Sequence, residues 1–266
     1  MTTVTMLHAV TRDRHDFAPF AATIARMNPR PQDLLGHGEA PRAPRYRLQD
    51  FAAAVRWPDA NAAEASAATG TPGDGPLFYG HSLGGLVALA VAQDNPGRLR
   101  GLVLEDPPLF ESRQPRLDTT PWAGGFRALK RIMTGKGRDR TLAEWEAAVA
   151  LWPSGHGTQT IAEQGGTDAV ARRARQIAAL DPAVLDAMVD PDLHHAFDPI
   201  TAIRAARCPV TILVGNREEG SALSAQDLVI LAAEPSVTLV RIQSAGHYLH
   251  EARPDLCADA LKALAP

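Results

Sequence analysis

The sequence contains no long hydrophobic run. Its longest apolar stretch, residues 83–92, has about ten residues, whereas a helix that crosses a bilayer needs about 20. The N-terminal residues have neither the basic segment nor the apolar segment of a signal peptide. We therefore expect no membrane-spanning helix and no secretion.

Cysteine and charge of one sign are also scarce. The two cysteines, Cys208 and Cys257, could form one disulfide at most and match no paired metal-binding spacing, so we expect a cytoplasmic protein. The 27 basic residues nearly balance 30 acidic ones, giving a net charge of −3, and no Lys/Arg cluster is longer than two or three residues. This balance argues against nucleic-acid binding.

What is present is an alternation of short apolar runs with helix-like segments and no internal repeat, a pattern that predicts an α/β fold with a mostly parallel sheet. The predicted strands are residues 4–8, 77–81, 99–104, 210–214 and 237–242. The predicted helices between them are residues 16–25, 48–55, 83–93, 222–233 and 254–264. Residues 60–74 are rich in small and turn-forming residues and are predicted to form a loop without chemical function.

Between residues 106 and 200 the strand pattern stops. This stretch predicts helices at residues 122–133, 142–152, 167–180 and 182–189, separated by proline and glycine. We interpret residues 107–199 as a helical cap inserted into a core of residues 1–106 and 200–266. The alternative is a separate helical domain.

The segment from residue 76 to residue 90 predicts a nucleophile. It reads as a strand, then Gly80-His81-Ser82-Leu83-Gly84, then an apolar helix, which is the context in which a Gly-x-Ser-x-Gly motif forms a nucleophile elbow. The turn at Ser82 must be tight, so Gly80 and Gly84 are expected to avoid collisions between strand and helix. The alternative is a serine that only caps the helix.

A serine nucleophile needs a general base, and His247 is the best-placed histidine. It follows the strand of residues 237–242 in the sequence Ser-Ala-Gly-His, where Gly246 is expected to let the loop bend. His194 and His195 would diverge on a helix, so they predict no shared metal site, and we expect no metal.

These features resemble the α/β-hydrolase superfamily, in its capped branch of serine hydrolases. The resemblance extends over about 170 residues outside the cap: residues 7–10 are similar to the His-Gly oxyanion loop, with Ala9 in place of the usual glycine, and residues 33–38 to an Asp-x-x-Gly-His-Gly segment. Residues 101–108 and 209–215 are similar to the sixth and seventh strands. The resemblance implies the α/β-hydrolase fold lacking the usual first two strands, a cap after the sixth strand, and no cofactor.

The resemblance also implies roles for individual residues. Ser82 would be the nucleophile and His247 the base, and the backbone N–H groups of Val10 and Leu83 would form the oxyanion hole. The acid would be Glu218, three residues beyond Gly215, or Asp106, which follows the sixth strand. Of these two carboxylates, the resemblance favours Glu218, and Glu219 or no acid at all is the remaining alternative.

The expected reaction is hydrolysis of a carboxylic ester or a similar acyl compound through an acyl-enzyme. The same elbow serves C–C hydrolases, thioesterases, lactonases and acyltransferases, and a ligand-binding homologue or a cofactor-independent oxygenase or synthase is a more distant alternative. The substrate is expected to be a small apolar acyl molecule, and no oligomeric state is predicted. The residues expected to bind it are His8, Tyr79, Phe110 and Tyr248. Four aromatic residues of the cap are expected to pack between cap and core: Trp122, Phe126, Trp145 and Trp152.

Overall fold

The computed structural model describes residues 2–57, 75–154 and 158–265. The loop predicted at residues 60–74 lies outside this description. No helix in the described ranges is long and apolar enough to cross a membrane.

A six-stranded, parallel sheet in the order β2-β1-β3-β4-β5-β6 forms the centre of the molecule, which confirms the predicted fold class. The strands are β1 (Val4–Leu7), β2 (Pro29–Gln32), β3 (Leu77–His81), β4 (Gly101–Glu105), β5 (Val210–Gly215) and β6 (Val237–Ile242). Because the strands are parallel, their carboxyl ends meet at one edge of the sheet, where ligands bind in open α/β sheets.

Sequence reasoning missed β2. Its four residues, Pro-Arg-Pro-Gln, have no apolar alternation, and proline cannot donate a ladder hydrogen bond. Within the described ranges the strand lies at the edge of the sheet and pairs with β1 alone, so its prolines disturb no second ladder there.

Helices cover both faces of the sheet. The α-helices of the described residues are α1 (Ala18–Thr23), α2 (Leu48–Ala54), α3 (Leu83–Asp94), α4 (Pro121–Thr134), α5 (Leu142–Val149), α6 (Ile161–Ala179), α7 (Pro182–Ala187), α8 (Pro199–Ala206), α9 (Ala225–Ala232), α10 (Leu249–Ala252) and α11 (Pro254–Leu264). Helix α3 is buried all round its first ten residues because the sheet, α2 and α8 enclose it.

Alternate strand residues face opposite sides of the sheet and form two hydrophobic cores. Leu7, Phe78 and Leu102 pack with α3 on one side. Met6 and Tyr79 pack with α1 and α11 on the other side. Buried residues from the interrupting helical region, such as Trp145 and Ile177, belong to the first core.

Among the described residues between β4 and β5, the only strand-like pairing is an isolated bridge between Pro153 and Thr160. The structure therefore matches the predicted helical character of this stretch, although its division from the core as a cap stays a prediction. Helix α6 begins six residues before the predicted start at 167, since Thr160 and Glu163 form a capping box and the helix continues through a kink at Gly166.

Candidate active site

Ser82 forms the whole turn between β3 and α3. Its backbone has φ 54° and ψ −114°, a conformation that residues other than glycine rarely adopt. The backbone N–H of Ser82 donates to the carbonyl oxygen of Glu105 over 2.9 Å, which fixes the turn to the end of β4. Strain of this kind concentrates at functional sites, where the surrounding structure holds it in place.

Gly80 and Gly84 permit this turn because they have no side chain at positions where a side chain would not fit. A Cβ atom on Gly80 would lie 2.3 Å from the carbonyl oxygen of Gly84, and one on Gly84 would lie 2.0 Å from that of Leu7. Both approaches are to backbone atoms, which cannot move aside. The sequence-based reason for these two glycines therefore agrees with the geometry.

His247 lies in the loop between β6 and α10. A Cβ atom on the preceding Gly246 would lie 2.0 Å from the carbonyl oxygen of Glu219, so the glycine serves a close approach to the loop after β5. The carbonyl oxygen of His247 accepts a hydrogen bond from Nε2 of His81 over 2.9 Å. The loop is thus bound directly to the residue that precedes Ser82.

Asp106 is the carboxylate that contacts His247. It follows β4 with a φ of 42°, is fully buried, and its Oδ2 atom lies 2.6 Å from Nδ1 of His247. Oδ1 accepts a hydrogen bond from the hydroxyl of Ser221 over 2.6 Å, and Oδ2 accepts a second one from the N–H of Ala222 over 2.7 Å. Since a carboxylate only accepts hydrogen bonds, Nδ1 of His247 carries the proton and Nε2 is free to act as a base.

The structure brings His247 to Asp106, the less favoured of the two carboxylates in the sequence-based prediction, and not to Glu218. Glu218 lies in an exposed 3-10 turn after β5, where its N–H donates to Oδ1 of Asn216 over 3.0 Å. The turn ends at Gly220 with a φ of 96°, and the next two residues reach Asp106. The loop after β5 thus contributes hydrogen-bond donors to Asp106, while Glu218 forms its hydrogen bond within the turn itself.

Two buried histidines support the loop that contains Val10. His8 accepts the N–H of Leu34 at Nε2 over 3.0 Å, and its Nδ1 donates to the carbonyl of Ala9 over 2.8 Å. His37 accepts the N–H of Thr11 at Nε2 over 3.2 Å. Burial lowers the pKa of His8, and it lowers that of His37 to about 3, so both rings are neutral acceptors at neutral pH.

Two backbone N–H groups near Ser82 are available as hydrogen-bond donors. The N–H groups of Val10 and Leu83 donate to no acceptor among the described residues. Leu83 is the first residue of α3, where backbone N–H groups and the helix dipole both favour negative charge. An oxyanion hole made of these two groups therefore agrees with the hydrogen bonding of the loop and the helix.

Ser82 and His247 both line a cavity of about 680 Å³. Val10 and Tyr248 also line it, as does Glu219 from the loop after β5. Apolar residues of the interrupting helical region form much of its wall: Trp122, Phe126, Leu129, Ile132 and Trp152. Three of the four aromatic residues expected to pack therefore line this cavity, although Phe126 and Trp152 also pack against the core; Trp145 is buried in the core, 3% exposed.

Three residues expected to bind substrate lie elsewhere. His8 is buried beneath the oxyanion loop, and Phe110 packs against the core. Tyr79 points to the opposite side of the sheet, where its hydroxyl donates to Glu105 over 2.6 Å. The alternation of side chains along β3 explains this placement, because Tyr79 and the elbow are close in sequence but face different layers. Of the four, Tyr248 alone lines the cavity.

A buried ionic cluster lies beneath the site, and sequence reasoning missed it. Glu105 accepts the Nδ1–H of His250 over 2.8 Å, and Arg12 lies 3.0 Å from Asp16. Burial alone would raise the pKa of Glu105, but His250, His81 and the hydroxyl of Tyr79 lower it to about 2. Burial alone would lower the pKa of His250, but Glu105 and Asp16 raise it to about 9.

The same cluster contains a possible set of metal ligands. One potential ligand atom from each of Asp16, His81 and His250 lies within 4.8 Å of the others. The charges in this cluster already balance in pairs, Arg12 with Asp16 and His250 with Glu105, so the group does not require a cation. The three residues are far apart in the sequence, and no short motif could have identified them.

Comparisons with known proteins agree with the fold. The profile described as "Alpha/beta hydrolase family" matches residues 12–260. Lipase LipV of Mycobacterium tuberculosis (strain ATCC 25618 / H37Rv) is 33% identical over 105 residues, which are 39% of this chain and 36% of the lipase. The chain therefore aligns with only about a third of that relative.

Solved structures resemble the whole chain. A marine microorganism esterase has a TM-score of 0.70 at 15% identity, covering 99% of this chain and 95% of the esterase. A thermophilic esterase from Thermogutta terrifontis has a TM-score of 0.64 at 19% identity, covering 99% and 89%. At these identities the likeness shows a shared fold.

Proposed function

Since this chain belongs to the Alpha/beta hydrolase family, we propose that it is a hydrolase that cleaves a carboxylic ester, or a similar acyl compound, through an acyl-enzyme on Ser82. The observation that carries this proposal is the 2.6 Å hydrogen bond between Asp106 and His247 at the wall of the cavity that also exposes Ser82. This geometry supports the assignment of Ser82 as nucleophile, His247 as base and Asp106 as orienting acid.

In the first half of the proposed reaction, Nε2 of His247 takes the proton of the Ser82 hydroxyl while Oγ attacks the substrate carbonyl. The charge on the resulting oxyanion is stabilised by the N–H groups of Val10 and Leu83. The protonated His247 is stabilised by Asp106 and returns the proton to the leaving alkoxide. An acyl group then remains on Ser82.

In the second half, His247 takes a proton from water, and the resulting hydroxide attacks the acyl carbonyl. The second oxyanion collapses, the bond to Ser82 Oγ breaks, and Oγ recovers the proton from His247. The acid leaves and the site is regenerated. The apolar wall formed by Trp122, Phe126 and Leu129 favours an apolar portion in the substrate next to the scissile carbonyl.

The test is a panel of 4-nitrophenyl esters of increasing acyl length, measured with the wild type, Ser82→Ala and His247→Ala. We expect kcat/KM to fall by about 10⁴-fold or more in each variant. A fluorophosphonate should label wild-type Ser82 and should not label Ser82→Ala. Full ester turnover by Ser82→Ala would contradict the acyl-enzyme. Turnover of thioesters or lactones in preference to esters would show that these compounds, and not carboxylic esters, are the substrate class.

A further inference from the structure

Arg173, in α6, places a guanidinium group in the wall of the cavity without a carboxylate partner among the described residues. Its Nη1 atom donates to the carbonyl of Thr11, and its Nη2 atom lies 2.8 Å from the Thr11 hydroxyl. The amide oxygen of Gln176 is 3.5 Å from Nη1. All three acceptors are neutral, and a guanidinium has five N–H donors, so donors remain for another ligand.

The charge of Arg173 persists at neutral pH. Burial and the neighbouring charge of Arg12 lower the pKa of Arg173 to about 10, which still leaves it protonated. A charged group in such surroundings is normally paired. The position of Arg173 therefore favours an anionic ligand.

A second cavity lies on the other side of Arg173. It has a volume of about 410 Å³ and shares Trp152, Pro153, Arg173 and Tyr248 with the cavity at Ser82. Its remaining wall is largely polar and includes Arg12, Arg172, Gln164, Gln176 and Glu251. The site as a whole thus has an apolar compartment at Ser82 and a polar compartment that adjoins it.

Positive charge exceeds negative charge in the polar compartment. The guanidinium of Arg12 lies 3.0 Å from Asp16 and 3.6 Å from Glu251, which balance it. Arg172 and Arg173 add two further positive charges to the wall, and Glu251 is the single acidic residue among the described residues that line it. This imbalance favours an anion, and the planar guanidinium fork matches a carboxylate with two parallel hydrogen bonds.

Resting on the proposed function, we propose that the substrate carries a carboxylate that binds Arg173, while its scissile ester lies at Ser82. Arg173 contacts Thr11, the residue after the oxyanion donor Val10, so the carboxylate and the scissile carbonyl are close to each other. Half-esters of short dicarboxylic acids have this arrangement. Arg173 would then determine specificity, in addition to holding the Thr11 loop.

The kinetic test compares monoethyl glutarate with ethyl pentanoate, which has no carboxylate. We expect the ratio of kcat/KM for the half-ester to kcat/KM for the neutral ester to fall at least about tenfold in Arg173→Gln, mainly through KM, with a smaller fall in Arg173→Lys. Arg175→Gln is the matched control, because Arg175 is exposed on the same helix and outside both cavities. The control should leave the ratio unchanged.

A binding test separates this proposal from the proposed function. Calorimetry with Ser82→Ala and glutarate measures carboxylate binding without turnover, and the Ser82→Ala/Arg173→Gln double variant should lose it. Thermal melting confirms that each variant is folded. Equal losses on both esters in Arg173→Gln, or glutarate binding that survives in the double variant, would overturn the carboxylate site, whereas a fully active Ser82→Ala would overturn the acyl-enzyme.

Discussion

His247 and Asp106 form a 2.6 Å hydrogen bond although 141 positions separate them in the sequence. The bond joins the loops that follow β6 and β4. Ser221 and Ala222, which follow β5, donate hydrogen bonds to the carboxylate of Asp106. Three consecutive parallel strands therefore contribute to the environment of one imidazole. The two ring contacts that His81 and Tyr248 make with His247 hold the same ring from the side.

The identity of the acid can be tested with two isosteric substitutions. Asp106→Asn should lower kcat/KM by roughly 10³- to 10⁴-fold, because an amide no longer stabilises the protonated imidazole and favours the wrong tautomer. Glu218→Gln, at an exposed position without contact to His247, should remain within about twofold of wild type. A larger loss in Glu218→Gln than in Asp106→Asn would assign the acid to Glu218.

The close approach at Gly84 can be tested by adding one methyl group. Gly84→Ala should destabilise the fold by more than about 3 kcal/mol or prevent folding, because its Cβ would lie 2.0 Å from the backbone oxygen of Leu7. Gly124→Ala is the matched control, since a Cβ there meets nothing within 4 Å, and it should be neutral or stabilise α4 by up to about 1 kcal/mol. Urea unfolding of both variants gives the comparison, and a mild effect at Gly84 would refute the steric reason.

The buried pair of Glu105 and His250 predicts a pH dependence of stability. The pKa of His250 is about 9 in the folded protein, above its ordinary value of 6.5, so its contribution is fully present below pH 6.5 and is lost as the pH rises through 9. The pKa of Glu105 is about 2, below its ordinary value of 4.5, so its contribution is present above pH 4.5 and is lost as the pH falls through 2.

Urea unfolding of the wild type and His250→Gln between pH 6 and pH 9.5 measures the first effect. The difference between their free energies of unfolding should decrease as the pH rises through this window. His15→Gln, at a histidine outside the cluster, serves as the control and should show no such trend. A constant difference for His250→Gln would mean that His250 is not protonated in the folded protein.

Phe126 tests whether the aromatic residues of the helical region contact substrate. Phe126→Ala enlarges the cavity at Ser82, so the ratio of kcat/KM for a decanoyl ester to that for an acetyl ester should rise about tenfold. Leu151→Ala, at a side chain that is 77% exposed, should leave the ratio unchanged. If Phe126→Ala lowers the melting temperature and leaves the acyl-length profile unchanged, Phe126 is a packing residue.

Local patterns in the sequence were sufficient to predict five of the six strands and the tight turn at Ser82. The strand that ends in His81 and the helix that begins at Leu83 are continuous apolar segments, and the glycines at 80 and 84 are explained by contacts within that segment and with β1. The choice between Asp106 and Glu218 could not be made from such local patterns. It depends on where the turn of residues 217–219 directs its side chains, and the sequence of that turn contains no signal for it.

The polar groups beneath and beside the site were beyond sequence reasoning for a related reason. Asp16, Glu105 and His250 come from three distant segments, and their contact exists only after the sheet has formed. Arg173 looks in the sequence like one of several arginines on an amphipathic helix. Its contact with Thr11 depends on the packing of α6 over the loop after β1, and no local sequence pattern predicts that packing.

The proline-containing strand β2 also bears on how molecules of this protein meet one another. An open sheet exposes unpaired backbone groups at its edge, and a second chain can add to them as an extra strand. Pro29 and Pro31 have no N–H to offer, so this edge is a poor template for intermolecular pairing. The opposite edge, β6, contains no proline. At that edge, charged side chains such as Arg241 are the feature that disfavours pairing with a strand of another molecule.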